Sequence, residues 1–253
     1  MPIELVIAAF GGFLCGFLNT VASSGSAVTL PLLVFMGLTP IVANATNRVP
    51  VVVAALIATV TFLRAKVIDW QIAIKILIPV VLGSIAGAAF VDTLPQEHIK
   101  LLISVAVLLA FVLLFSGLKK ILQKEFEEDA RFRFVEIIVL FLVGFWLGLI
   151  VLDGATYLLL ALIVFVRLPL VKANAYKNLV LFATSAIALG VFARNGEVNW
   201  EIGGVMAIGA VLGGLIGARF ALNPISKAWT FRVLVTIIFL ELVHIGFQYF
   251  FKP

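Results

Sequence analysis

Two short polar blocks stand inside otherwise apolar sequence, and their residue types are those that bind anions. The first, Asn19-Thr20-Val21-Ala22-Ser23-Ser24-Gly25-Ser26, interrupts a stretch over 5–47 without a charged residue. The second, Asp153-Gly154-Ala155-Thr156, separates the apolar pieces 135–152 and 157–166. A helix restarting after such a break aims unpaired N–H groups and the positive end of its dipole at the break. Asn19, Ser23, Ser24, Ser26 and Thr156 add polar side chains there, while Gly25 and Gly154 let a ligand approach the backbone. This chemistry suits an anion with several acceptor oxygens; the same residues would also satisfy an ordinary helix turn. Asp153 would repel an anion when ionised, so it reads as a helix cap or as the carrier of a coupling proton.

A second constellation pairs amides with cations. Asn44, Asn47 and Arg48 in the first half face Asn174, Lys177 and Asn178 in the second. Each set puts an amide and a cation one helical turn apart at the start of a span, with the asparagines read as helix caps. Arg48 sits in uncharged surroundings, which points to a protein-lined cavity. Arginine favours two-pronged oxyanion recognition, whereas Lys177 offers a point charge. The alternative for both is snorkelling to lipid headgroups. Glu241 and His244, three apart in the last apolar stretch, could relay protons.

Composition decides what solvent these groups meet. Of 253 residues, 63% are apolar and 12% charged, with mean hydropathy +1.22. A soluble domain carries about a quarter charged residues, so lipid is the solvent here. The net charge of +5 comes from residues lying between apolar runs, which speaks for membrane orientation, not nucleic acid. The N-terminus lacks a basic region and a small-residue cleavage site, so no cleavable signal is expected. One cysteine, Cys15, excludes an internal disulfide, and with His98 and His244 as the only histidines a metal site is not expected. No catalytic residue set, phosphate loop or dinucleotide fingerprint is present. The expectation is no enzyme, no cofactor and no metal.

The elements that must hold these groups are apolar stretches at 49–63, 76–91, 101–118, 137–152, 179–193, 202–218 and 233–251. With flanking residues each approaches the ~20 residues of a spanning helix. The pieces after the two breaks reach only part-way across, so each first unit is a broken helix or a hairpin with its tip in the membrane. Irregular backbone at that depth survives only inside protein or against a polar cavity.

The two breaks correspond because the chain repeats itself. Shifted by 130 residues without a gap, positions 38–90 match 17 of 53, including Ala43-Asn44-Ala45 with Ala173-Asn174-Ala175, Trp70 with Trp200 and Gly83 with Gly213. This predicts an all-α polytopic bundle of two homologous halves, 1–118 and 134–253, joined by a charged linker, 119–133. If each half crosses an even number of times, Lys and Arg divide about evenly between the two sides. If each first unit is a down-and-back hairpin, the repeats are inverted and the division is 14 to 4. The positive-inside rule favours the second, with the linker cytoplasmic and both termini outside. Gly83/Gly87 and Gly209/Gly213/Gly217 read as close helix packing, and Trp70 and Trp200 as interface anchors.

The run from Gly16 to Ser26, Pro31-Leu-Leu, Ala43-Asn-Ala-Thr-Asn-Arg48, Lys66-Val-Ile-Asp-Trp70, Lys172-Ala-Asn-Ala-Tyr-Lys177 and Gly196-Glu-Val-Asn-Trp200 resemble the TauE/SafE family of sulfite and sulfonate exporters. The resemblance departs at Ser23-Ser-Gly-Ser26, where the family carries a glycine-rich stretch, and at Asp153, where an uncharged residue is expected. It implies a secondary transporter in the inner membrane that exports small sulfur-containing anions such as sulfite, sulfoacetate or related organosulfonates. The rival class is a passive anion channel, or a non-transporting membrane component of a larger complex. The partners expected are the small anion, lipid and a coupling proton or other ion, with a homodimer as an open assembly state and no nucleic acid.

Overall fold

The computed structural model describes residues 2–91, 130–149 and 154–223, with positions 229, 232 and 236. The expectations at Asp153, His98, 101–118, 233–251, Glu241 and His244, and those for most of the linker, fall outside the described residues. Eight helices account for nearly all of the described chain: α1 Pro2–Ala22, α2 Gly25–Phe35, α3 Pro40–Arg64, α4 Trp70–Val91, α5 Phe134–Leu149, α6 Gly154–Val164, α7 Leu170–Arg194 and α8 Trp200–Ala221. Five of them (α1, α3, α4, α7 and α8) are long and apolar enough to cross a membrane. The molecule is an all-helical membrane bundle, and its outer surface is apolar. Ile74, Ile78, Leu82 and Ile85 on α4, and Ile208, Leu212 and Ile216 on α8, are exposed at helical spacing, which only a lipid solvent tolerates.

The first unit of each half is a hairpin. A Cβ on Gly25 would overlap the Cys15 carbonyl oxygen, and one on Gly11 would meet Leu32, so α2 folds back along α1. In the second half Gly154 lies against Leu147, and the Tyr157 ring meets Trp146 edge-on, 6.0 Å between centroids; α6 thus returns along α5. Both return helices have 11 residues. At 1.5 Å each they extend about 16 Å, roughly half of the ~30 Å hydrocarbon layer.

The repeat is visible in the backbone. Left-handed residues occur at Lys66 and at its 130-shifted equivalent Gly196, and at Gly37 and its equivalent Arg167. The same turns follow equivalent helices, although glycine holds the position in only one half of each pair. The halves also exchange partners. The first helix of each half packs on the fourth of the other, α1 on α8 and α5 on α4. Glycines set these seams: Gly209 and Gly213 press on the backbone of Ala9 and Phe13, and Gly83 and Gly87 on that of Phe141 and Phe145. Any Cβ there would separate the helices.

The equivalent helices α3 and α7 pack side by side in opposite directions. Tyr176, near the start of α7, accepts through its hydroxyl from the Asp69 N–H beyond the end of α3, at 3.0 Å. Thr46, the equivalent of Tyr176, accepts from the N–H of Asn199 beyond the end of α7, also at 3.0 Å. Asp69 and Asn199 are themselves equivalent, and each caps the next helix: Asp69 Oδ1 accepts from Gln71 N at 2.7 Å and Asn199 Oδ1 from Ile202 N at 3.0 Å.

The structure corrects the helix starts. Spans read as starting at the amide–cation sets Asn44–Arg48 and Asn174–Asn178 open at Pro40 and Leu170. Asn44 and Asn174 therefore lie more than a turn inside their helices, with Asn47, Arg48, Lys177 and Asn178 deeper still. None is a cap; the N-cap positions are Thr39 and Pro169. Amides interrupt apolar runs in sequence, but Asn47 is held from α2 by Ser26 and Thr29, and Asn174 and Asn178 are bonded within α7 itself.

Candidate functional site

The tip of the first hairpin and the start of α6 line a small cavity inside the bundle. Its walls are Asn19, Ser23, Ser24, Ser26 and Ala27 from the first hairpin, Ala155 from the second, and Val51 and Leu181 from α3 and α7. Val51 and Leu181 are equivalent under the 130-residue shift, as are Gly25 and Ala155. The cavity thus lies where the two halves are related to each other.

Asn19 organises the first tip. Its Oδ1 accepts from the N–H of Gly25 at 2.9 Å, capping α2 from the body of α1, since the Ser24 side chain makes no cap bond. Its Nδ2 donates to Cys15 Sγ at 3.5 Å. Asn47 ties α3 to the same tip. It donates through Nδ2 to Ser26 Oγ at 3.0 Å and accepts at Oδ1 from Thr29 Oγ1 at 2.6 Å and from Cys15 Sγ at 3.8 Å. Ser26 keeps its own hydroxyl proton for a further acceptor. The Ser24 hydroxyl oxygen is buried and unpartnered on the cavity wall.

Lys177 enters from the other half. Its side chain is fully buried (0% exposed), which rules out snorkelling. Nζ donates to the carbonyls of Asn19 (2.6 Å) and Thr20 (3.2 Å), to Ser23 Oγ (3.1 Å) and to Asn174 Oδ1 (2.7 Å). The ammonium thus sits on the last turn of α1, where the helix dipole is negative; the Asn19 carbonyl there also accepts from the Ser23 N–H at 3.3 Å, while the Thr20 carbonyl relies on Lys177. Ser23, which ends α1, has φ +64, a conformation costing a non-glycine residue roughly 1–2 kcal/mol. Its hydroxyl bond to Lys177 helps hold it there.

The remaining predicted residues divide. Gly25 is the close approach of α2 to α1, and Gly154 that of α6 to Leu147. Thr156, beside Ala155, has a buried unpartnered hydroxyl. Asn174 belongs to the Lys177 cluster, and Asn178 donates back to the Asn174 carbonyl at 2.8 Å while its Oδ1 is unpartnered. Asn44 is half-buried on α3 and takes no part in the cavity. Arg48 also lies off the cavity wall, 3% exposed, 6.0 Å from the Phe192 ring centroid, with Nε unpartnered. The sequence reading missed Cys15 and Thr29 as polar partners, and Val51 and Leu181 as walls. Thr29 was legible one turn after Gly25 on α2; the apolar walls carried no signal apart from their equivalence. Among the described residues no group of three His, Cys, Asp or Glu could hold a metal ion.

The family model "Sulfite exporter TauE/SafE" matches residues 8–244. The chain belongs to the TauE/SafE family. Its relatives are membrane transporters by name. It is 29% identical over 232 residues to "Probable membrane transporter protein YfcA" of Escherichia coli K12, covering 89% of this chain and 84% of the relative. It is 26% identical over 212 residues to a "Probable membrane transporter protein" of Haemophilus influenzae, covering 84% and 83%. "Probable membrane transporter protein YunE" of Bacillus subtilis is 24% identical over 274 aligned positions, 98% of each chain. No solved structure matches. Family and apolar helices together make this TauE/SafE member a multi-pass membrane protein.

Proposed function

We propose that this chain is a secondary transporter, not an enzyme, that exports small sulfur-containing oxyanions such as sulfite, sulfoacetate or related organosulfonates across the inner membrane. The observation that carries the reading is the cavity between the first hairpin tip and the start of α6. Its polar walls are Asn19, Ser23, Ser24 and Ser26, its apolar walls Ala27, Val51, Ala155 and Leu181, in a core that also buries the two cations Arg48 and Lys177. Hydroxyl donors and buried positive charge in lipid surroundings describe an anion path. Sulfur enters from the family's name alone. The two halves, 1–118 and 134–253, are inverted repeats that alternate access to the cavity, a reading supported by the opposed directions of α3 and α7 and by the short return helices. The linker 119–133 is cytoplasmic and both termini are outside, as the division of basic residues favours, 13 to 3 once the buried Lys177 and Arg48 are set aside from the 14-to-4 count. A proton or other ion gradient drives the cycle.

The test is flux into proteoliposomes holding the full chain, with a panel of sulfite, thiosulfate, sulfoacetate, sulfate, chloride and a dicarboxylate, each with and without a pH gradient. Saturable flux of one sulfur oxyanion is expected. Ser24→Ala should weaken its apparent affinity roughly tenfold or more, the worth of one hydrogen bond to a charged group. Linear, unsaturable flux would make the protein a channel. The absence of saturable flux for every sulfur anion would refute the proposal.

A further inference from the structure

The tip cavity leaves one group unexplained. Arg48 is almost fully buried (3% exposed), yet its Nε has no hydrogen-bond partner. An apolar cluster that includes Ala45, Val49, Leu189, Phe192 and Val198 occupies this part of the α3–α7 seam, and Arg48 meets it at the Phe192 ring, 6.0 Å from the guanidinium carbon. Neither Arg48 nor Phe192 lines the tip cavity. Lys177 resolves the same burial problem differently, with four oxygen acceptors around its ammonium. A buried charge left without a counter-group is costly, and inside a membrane such a residue marks an ion path.

Resting on the anion-transport reading above, we propose that Arg48 and Phe192 form a second anion station, separate from the tip cavity. The station takes an oxyanion, because the planar guanidinium offers parallel N–H donors that match two oxygens of one ligand. Phe192 is the wall on which the guanidinium rests. Arg48 precedes the cavity residue Val51 by three positions, about 4.5 Å along α3. An anion leaving the cavity along this seam therefore reaches Arg48 within one helical turn. The two cations lie on opposite helices: Lys177 holds the first tip from α7, and Arg48 serves the seam from α3. The path is then a sequence of two stations with the hydroxyl-lined cavity between the cations.

The experiment is equilibrium binding of radiolabelled sulfite to the purified full-length protein in lipid nanodiscs, with thiosulfate, sulfate and chloride as parallel arms. Wild type should bind two equivalents. Arg48→Gln should bind one, with the remaining affinity unchanged, which also shows that the variant is folded. Ser24→Ala should weaken one equivalent about tenfold and spare the other. If Arg48→Gln does not fold, Arg48→Lys carries the test, since it keeps the charge without the fork; one of two equivalents should weaken. A single equivalent abolished by Arg48→Gln, or two equivalents surviving it, would overturn the second station. Two equivalents of sulfate alone would keep both the station and the sulfur-oxyanion reading, whereas binding of chloride with none of the three sulfur oxyanions would refute both. No binding of any of the four would overturn both.

Discussion

Replacing Lys177 by methionine removes the ammonium while keeping an unbranched stem of similar length. In the native bundle that ammonium has four acceptors for three protons: the carbonyls of Asn19 and Thr20, Ser23 Oγ and Asn174 Oδ1. After substitution the Ser23 hydroxyl can rotate and the Asn174 amide can turn to another donor. The Thr20 carbonyl cannot, because it ends α1 and is buried, while the Asn19 carbonyl keeps the Ser23 N–H at 3.3 Å. Each orphaned acceptor costs about 1–3 kcal/mol. The loss is reduced because a charge no longer has to be desolvated; removing one partner of a buried charged pair outright costs about 3–5 kcal/mol. The net expectation is a destabilisation of about 1–3 kcal/mol, roughly fivefold to a hundredfold or more in the folded-to-unfolded ratio. The assay is reversible unfolding of the purified protein in mixed micelles with increasing sodium dodecyl sulfate, followed by circular dichroism. Lys177→Arg should fall between wild type and Lys177→Met, because a planar fork cannot serve acceptors gathered around a point. Equal or higher stability of Lys177→Met would refute the reasoning: burying the ammonium would then cost as much as its bonds return.

Two further outcomes follow from the backbone and the repeat. At Ser23, with φ +64, alanine and glycine both remove the hydroxyl bond to Lys177, but only glycine relieves the left-handed strain. Ser23→Gly should therefore be about 0.5–1 kcal/mol more stable than Ser23→Ala in the same unfolding assay, after allowing for the entropy of glycine in the unfolded chain. The equivalent exposed turn positions Ala65 and Asn195 lie on opposite membrane faces if the repeats are inverted. A membrane-impermeant maleimide should label Asn195→Cys in intact cells and Ala65→Cys only after permeabilisation, against the low background of the buried Cys15; labelling of both on one side would mean parallel repeats.

The sequence alone determined the solvent, the repeat and the rough positions of the breaks. Apolar run lengths answer to the thickness of the bilayer, and a shift of 130 residues is a property of the string. The choice between a broken helix and a hairpin was tertiary. It depends on whether Gly25 can lie on the Cys15 carbonyl, a contact between residues whose spacing alone allows either geometry. The helix starts at Pro40 and Leu170 were hidden because amides look like ends until the fold supplies their partners: Ser26 of α2 for Asn47, and Lys177 of the same helix for Asn174. The sequence grouped Arg48 with Lys177 by their matching surroundings. Packing separated them: the flexible stem of Lys177 reaches the last carbonyls of α1, 158 positions away, while Arg48 stops against Phe192. Which cation is held and which is unpartnered depends on distances between helices far apart in the chain, and only the folded bundle sets those.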